Sequence, residues 1–274
     1  VGQLKIVRED FSMHADILAD PPPEPHVAVR SITVDRTMDW VKRGWIDFKA
    51  APTVSLILGS YFVIIGWALA IGLADAGLGS LIPAFAAGFL LVAPVLAVAF
   101  HEVARRLEAG EKVGLAPVLD GAFRQPGRLA AMGLILSLFL LVWMQVAVVL
   151  FAAFFGQSPP SLENFLADIL AAPQGPAFLA AGSVAGAVLG GIVFAITAVS
   201  IPMILDRPVD LLTAIRTSVR AVTVNPGSMM GWALNIAFIA ATGFATFFVG
   251  LAVAMPVLGY ATWHAYRDLV DTGD

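Results

Sequence analysis

Two histidines are the residues most open to a chemical reading. His101 and His264 follow Pro94 and Pro256 at nearly the same interval, each at the end of an apolar run. Both therefore belong near the ends of membrane helices, at similar depth. A bis-histidine haem or a metal pair would use such an arrangement. It would also need further ligands and orienting partners, and nothing nearby supplies them. The plainer reading is preferred. His101 is an interfacial polar residue beside Glu102, and His264 sits between Trp263 and Tyr266 in an aromatic belt. No cofactor and no metal is assigned.

Within the apolar runs the polar inventory is thin: Gln145, Asn235, Thr197, Ser200, Thr242 and Thr246, with no carboxylate or base. Proton-coupled transporters and pumps carry intramembrane ionisable groups, so that class is disfavoured. Gln145 and Asn235 are expected to bond across helices; contact with a substrate is the other reading. Arg105, Arg106, Lys112, Arg124 and Arg128 form a basic cluster suited to acidic phospholipid headgroups. The excess of basic residues in cytoplasmic loops would place them there regardless. With 0 cysteines, disulfides, thiolate metal sites and cysteine nucleophiles are excluded. No phosphate-binding glycine loop, HExxH pair or serine elbow occurs. No catalytic residue is assigned, and the chain is not expected to be an enzyme. Its net charge of −4, with acids and bases mixed, offers no surface for nucleic acid.

The elements that hold these residues are hydrophobic. The chain is 59% hydrophobic and only 13% charged, with a mean hydropathy of +0.86. Five blocks carry no charge at all: Ala50–Ala74, Ala76–Phe100, Leu129–Leu162, Ile169–Leu205 and Ser228–Tyr266. A crossing needs about 20 apolar residues. The first four blocks hold one span each, and the last holds two with a turn near Gly243–Gly250. If these six spans alternate, all 16 Lys and Arg fall in one set of loops and none in the other. That places both termini in the cytoplasm. Residues 1–30 lack an apolar core segment, so no cleaved signal peptide is expected and the first span should insert uncleaved.

Three short amphipathic stretches precede the odd spans. In the first, Val34, Met38, Val41, Trp45 and Phe48 share a helical face, with Arg36, Lys42, Arg43 and Lys49 beside it. An interfacial helix over residues 31–51 follows, with Trp40 and Trp45 at headgroup level. Leu115, Val118, Leu119, Ala122 and Phe123 form a second face, and Leu212, Ile215, Val219 and Val222 a third. Each stretch ends in an Xaa-Pro step, at Pro52, Pro126 and Pro226, and each even span holds a further proline, Pro94, Pro202 or Pro256. The chain reads as three parallel helical hairpins, each led by an interfacial helix. The three inner prolines would bend the even spans alike. Gly182, Gly186 and Gly190, at steps of four, form a surface for close helix packing.

The fold class is thus all-α and polytopic. Residues 1–30 form a disordered Pro-rich cytoplasmic tail around Pro21–Pro25, residues 52–268 the membrane domain and residues 269–274 a second tail. A short surface helix capped by Ser161, with Leu162, Phe165, Leu166, Ile169 and Leu170 on one face, follows Ser158-Pro159-Pro160.

Arg30-Ser31-Ile32 leading to Trp45-Ile46-Asp47-Phe48, the Arg105–Lys112 segment, and Ser200-Ile201-Pro202-Met203 with Asn225-Pro226 together resemble a proteobacterial family of predicted integral membrane proteins without assigned function. The resemblance runs from Val29 to Asp268 and implies a bacterial inner-membrane protein of about six helices. Some relatives are likened to cytochrome c oxidase subunit I. This sequence cannot be that catalytic subunit, whose haem–copper chemistry needs a set of embedded histidines. The function expected is a non-enzymatic accessory, assembly or structural subunit of a respiratory or photosynthetic membrane complex. Its partners would be other membrane subunits and anionic phospholipids of the bilayer. The alternative is a passive permease for small solutes or lipids, with a path lined by Gln145 and Asn235.

Overall fold

The computed structural model of the protein describes residues 27–156 and 164–271. Among these, helix α1 (Arg36–Ala50) leads into α2 (Pro52–Asp75), followed by α3 (Ile82–Leu96) and α4 (Val98–Glu108). Helix α5 (Leu115–Ala122) leads into α6 (Pro126–Phe155); α7 (Phe165–Ala171), α8 (Gly175–Thr197) and α9 (Ser200–Asp206) come next. Helix α10 (Leu211–Val224) leads into α11 (Pro226–Ala245), and α12 (Leu251–Leu269) follows. The described residues form no strand beyond one antiparallel bridge, Val29 to Val270.

Among the described residues, five helical segments are long and apolar enough to cross a membrane: Pro52–Asp75, Gly79–Leu96, Pro126–Phe155, Gly175–Asp206 and Pro226–Ala245. Their outer faces expose Ile64, Leu134, Val184, Leu234 and Phe238. Apolar surface on this scale is stable in lipid and not in water. The chain is an all-helical polytopic membrane protein.

Helix α12 is not among the five, because Trp263, His264, Tyr266, Arg267 and Asp268 make it less apolar. It is instead the most enclosed of the long helices. Tyr260, Ala261, Trp263, Tyr266 and Leu269 are all at most 1% exposed. Helices α1, α2, α4 and α11 pack around it. A second group, α3, α6 and α8, is wedged by Trp143, whose indole donates to the Ala84 carbonyl at 2.7 Å and rests 3.5 Å from the place of a Gly186 side chain.

The three Xaa-Pro junctions share one backbone geometry. Ala51, Gln125 and Asn225 have φ/ψ of −133/56, −123/60 and −123/52. The residue before a proline is pushed out of the helical region, and the proline itself suits the first helical position. Each junction therefore ends one helix and begins the next. The inner prolines do not act alike. The second span breaks at Ala97, just after Pro94, and the fourth at Ala198–Val199, just before Pro202, whereas α12 runs unbroken through Pro256. At the α8–α9 break the freed Val199 amide donates to Ser218 Oγ of α10 at 3.1 Å.

The amphipathic helices expose several large apolar residues and, Trp40 and Val118 apart, bury small ones. Met38 and Trp45 are exposed on α1, with Val34 just ahead of it, Leu115 and Leu119 on α5, and Leu212 and Val219 on α10. What they bury is Thr37, Trp40 and Gly44, then Val118, Gly121 and Ala122, then Ala214, Thr217, Ser218 and Ala221. Trp40 therefore does not face lipid headgroups: it is wholly buried and donates to Asp268 at 2.8 Å.

The termini of the described chain are not loose. Arg30 N–H donates to the Leu269 carbonyl at 2.8 Å, and Asp271 N–H to the Ala28 carbonyl at 2.9 Å. Leu269 and Val270 are fully buried, and these bonds clamp residues 28–30 to residues 269–271. Pro21–Pro25, Ser158–Ser161, Leu162 and residues 272–274 lie outside the described residues. In α7, Asn164 occupies the N-cap position. Ile169 is buried and Leu170 exposed.

Candidate functional site

The polar groups converge at one end of the bundle, where the segments around α1, α4, α5, α9 and the last turns of α12 meet. The break at Ala97 sets α4 at the start of this layer and buries Val98–Ala104. Glu102 is the centre, with 0% exposure. Three guanidiniums reach its two oxygens. Arg105 grips both with a fork, Nε to Oε2 at 2.8 Å and Nη2 to Oε1 at 2.9 Å. Arg106 Nε donates to Oε1 at 2.8 Å, and Arg124 Nη2 to Oε2 at 2.9 Å. A Cβ on Gly121 would stand 2.2 Å from Oε1, so glycine is what lets α5 close over the carboxylate. Arg105 also reaches Glu111 at 3.0 Å. Its hydrogen bond to Glu102 raises the Arg105 pKa, and the Arg105 bond holds the Glu111 carboxyl below its usual range. Charge-assisted forks of this kind are the strong class of hydrogen bond.

Helix α12 supplies the rest. Trp263 Nε1 donates to Glu108 at 2.6 Å, and Arg267 Nε reaches the same carboxylate at 3.1 Å. Tyr266 donates to Asp206 at 2.6 Å. Asp268 accepts from Trp40 and Arg43. His264 Nε2 lies 2.8 Å from Asp47 on α1. These contacts correct the expected aromatic belt, because Trp263 and Tyr266 are 1% and 0% exposed and tie α12 to α4 and α9.

His101 is likewise enclosed by protein. It is 3% exposed, and its Nδ1 lies 2.9 Å from the Gly259 carbonyl. A carbonyl only accepts, so Nδ1 carries the proton. Desolvation lowers the His101 pKa from 6.5 to about 4, the Gly259 bond opposing it in part. The two histidines each spend a nitrogen on a different protein partner. No group of three His, Cys, Asp or Glu comes together among the described residues.

The other candidates scatter. Of the five basic residues, Arg105, Arg106 and Arg124 converge on Glu102, Arg128 contacts Gln125, and the Lys112 side chain is exposed. Arg124 is 52% exposed and so keeps one face toward the surroundings. Asn235 donates to Thr37 Oγ1 on α1 at 3.3 Å, a bond across helices. Gln145 lies on the exposed side of α6. Among the glycines, Gly182 and Gly186 meet only the Leu150 and Trp143 side chains, and Gly190 meets nothing within 4 Å. The close backbone approaches occur elsewhere, at Gly59 against Ala252 and at Gly44 against Val257.

Sequence reasoning missed Glu102, Glu108, Asp206 and Asp268. One signal was available: Glu102 stands three and four residues before Arg105 and Arg106, the spacing at which helical ion pairs form. No curated protein and no solved structure matches the chain. The stretch from the start of α3 through the Glu102 cluster to the end of α9, residues 81–206, matches the family model described as predicted integral membrane protein (DUF2189).

Proposed function

We propose that the protein is a non-enzymatic accessory or assembly subunit of a larger bacterial inner-membrane complex. It crosses the bilayer six times, as three hairpins, with both termini in the cytoplasm. The observation that carries this reading is the use made of its ionisable side chains. Glu102, Glu108, Asp206, Asp268, Asp47 and Asp271 are each bonded to a donor from another segment of the chain. Such pairing fixes helices relative to one another and leaves these acids engaged. The shared geometry of the three Xaa-Pro junctions supports the hairpin repeat. The confinement of all 16 Lys and Arg to one set of loops supports the orientation.

The test is purification from native membranes in a mild detergent, followed by mass spectrometry of what comigrates. The expected result is a stoichiometric set of other membrane proteins. Recovery of this chain with no other protein species would overturn the accessory role.

A further inference from the structure

Helix α6 is longer than a crossing requires, and only 17% of its most apolar stretch is buried within the protein, the lowest share of the five segments. The face it turns inward is Leu129, Met132, Leu136, Trp143 and Ala147. On the outer side Leu134, Leu138, Leu141, Gln145, Val148 and Ala152 follow at alternating steps of four and three, and all are exposed. That alternation is the seam of a coiled pair of helices. Its own fold leaves the seam unused.

Gln145 interrupts the seam with an amide. It stands ten residues before Phe155, about 15 Å along the helix at 1.5 Å per residue, and has no hydrogen-bond partner among the described residues. Lipid tails offer it none. We infer that two copies of this chain pair through α6, with Gln145 hydrogen-bonded to the same residue of the second copy across a twofold axis along the membrane normal.

The occupant follows from topology and chemistry together. Copies of one chain insert in the same orientation, so two α6 helices can meet only in parallel. In a parallel twofold pair each seam residue faces itself. An amide is self-complementary, N–H of one to C=O of the other, whereas a carboxylate or an amine would repel its like. A single polar residue in an apolar seam also fixes register. Any other helix would need its own polar group at matching depth. This inference rests on α6 being a crossing, as in the function proposed above, and not on the presence of other subunits.

The chain has 0 cysteines, so single introduced thiols report contacts directly. Leu141→Cys and Val148→Cys should form disulfide-linked dimers on mild oxidation in native membranes. Ile64→Cys and Val184→Cys, both 65% exposed on other helices, should not. Adding Gln145→Leu should weaken the dimer by about three- to thirtyfold, the range set by interhelical hydrogen bonds, while Gln145→Asn retains it. Gln145 lies outside the core, and unchanged thermal unfolding of Gln145→Leu would separate dimer loss from misfolding. Seam thiols that cross-link no better than the controls, that cross-link to a different protein instead, or that ignore Gln145→Leu would overturn the proposal. Comigration of other membrane proteins would be unaffected by such a failure, so the two readings fall separately.

Discussion

Glu102 and His101 are neighbours in the sequence and opposite in electrostatic character. Glu102 is a buried acid whose two oxygens are met by Arg105, Arg106 and Arg124. Truncating one partner of a buried pair costs about 3–5 kcal/mol, since the remaining charge is left unpaired. Glu102→Gln should therefore destabilise the protein by about 3 kcal/mol, the low end, because Arg124 is half exposed and can turn to water. Glu111→Gln, on the exposed rim, should change thermal unfolding in detergent little; equal losses for both would deny Glu102 its special position. His101 works through neutrality. Its pKa is about 4 in the folded protein and 6.5 in the open chain. Between those values the unfolded chain takes up a proton that the folded one refuses. The stability tied to His101 is thus complete above the higher pKa and lost as pH falls toward the lower one. About 2 kcal/mol should be gone by about pH 5. Unfolding midpoints at neutral and acidic pH should converge for His101→Asn, and a wild-type slope in that variant would assign the acid sensitivity elsewhere. Neither role was legible in the sequence. The Glu102–Arg105–Arg106 spacing was visible, but the burial that makes it matter depends on α5 and α12 arriving from far along the chain.

At the scale of elements, local chemistry was readable and contacts between helices were not. Xaa-Pro steps act on their own backbone, which is why Pro52, Pro126 and Pro226 marked three junctions of one shape. Glycine spacing is different. Gly182, Gly186 and Gly190 share a helix face, yet spacing says nothing of whether another backbone lies over it. The glycine that matters is marked by a proline on its partner. Pro256 has no N–H for the Ala252 carbonyl four residues earlier, and Gly59 of α2 packs directly on that oxygen. A Cβ at Gly59 would stand 2.1 Å from it, where only backbone can yield. Gly59→Ala should cost about 1–3 kcal/mol as overpacking. Gly190→Ala, with open space around it, should gain about 0.5–1 kcal/mol from the reduced entropy of the unfolded chain. Paired thermal unfolding of the two variants checks both signs, and a stabilised Gly59→Ala would mean that α2 and α12 are not in backbone contact.

The whole molecule turns on α12. Charge-free blocks and segregated basic residues carried the polytopic fold, because lipid-facing helices must be apolar along their length. A helix enclosed by other helices is free of that requirement, so hydropathy undervalues it. Helix α12 lies against α1, α2, α4 and α11, where Trp263, Tyr266 and Arg267 find acceptors on protein and have no need of lipid or water. The same enclosure explains why its aromatic residues suggested a headgroup belt. Its crossing can be decided by labelling. The turn between α11 and α12 exposes Phe247 at 78%, and Lys112, between α4 and α5, is exposed as well. In a chain with 0 native cysteines, Phe247→Cys should react with a membrane-impermeant maleimide in intact spheroplasts. Lys112→Cys should react only after permeabilisation. A third thiol at Asp271, which is exposed beyond the end of α12, should behave like Lys112→Cys if α12 returns the chain to the basic side. Labelling of Asp271→Cys from outside would make five crossings the true number and would separate Arg30 from Asp271, and Asp268 from Arg43, by the thickness of the bilayer. The 2.7 Å pairing of Arg30 with Asp271 is the contact that such labelling would contradict.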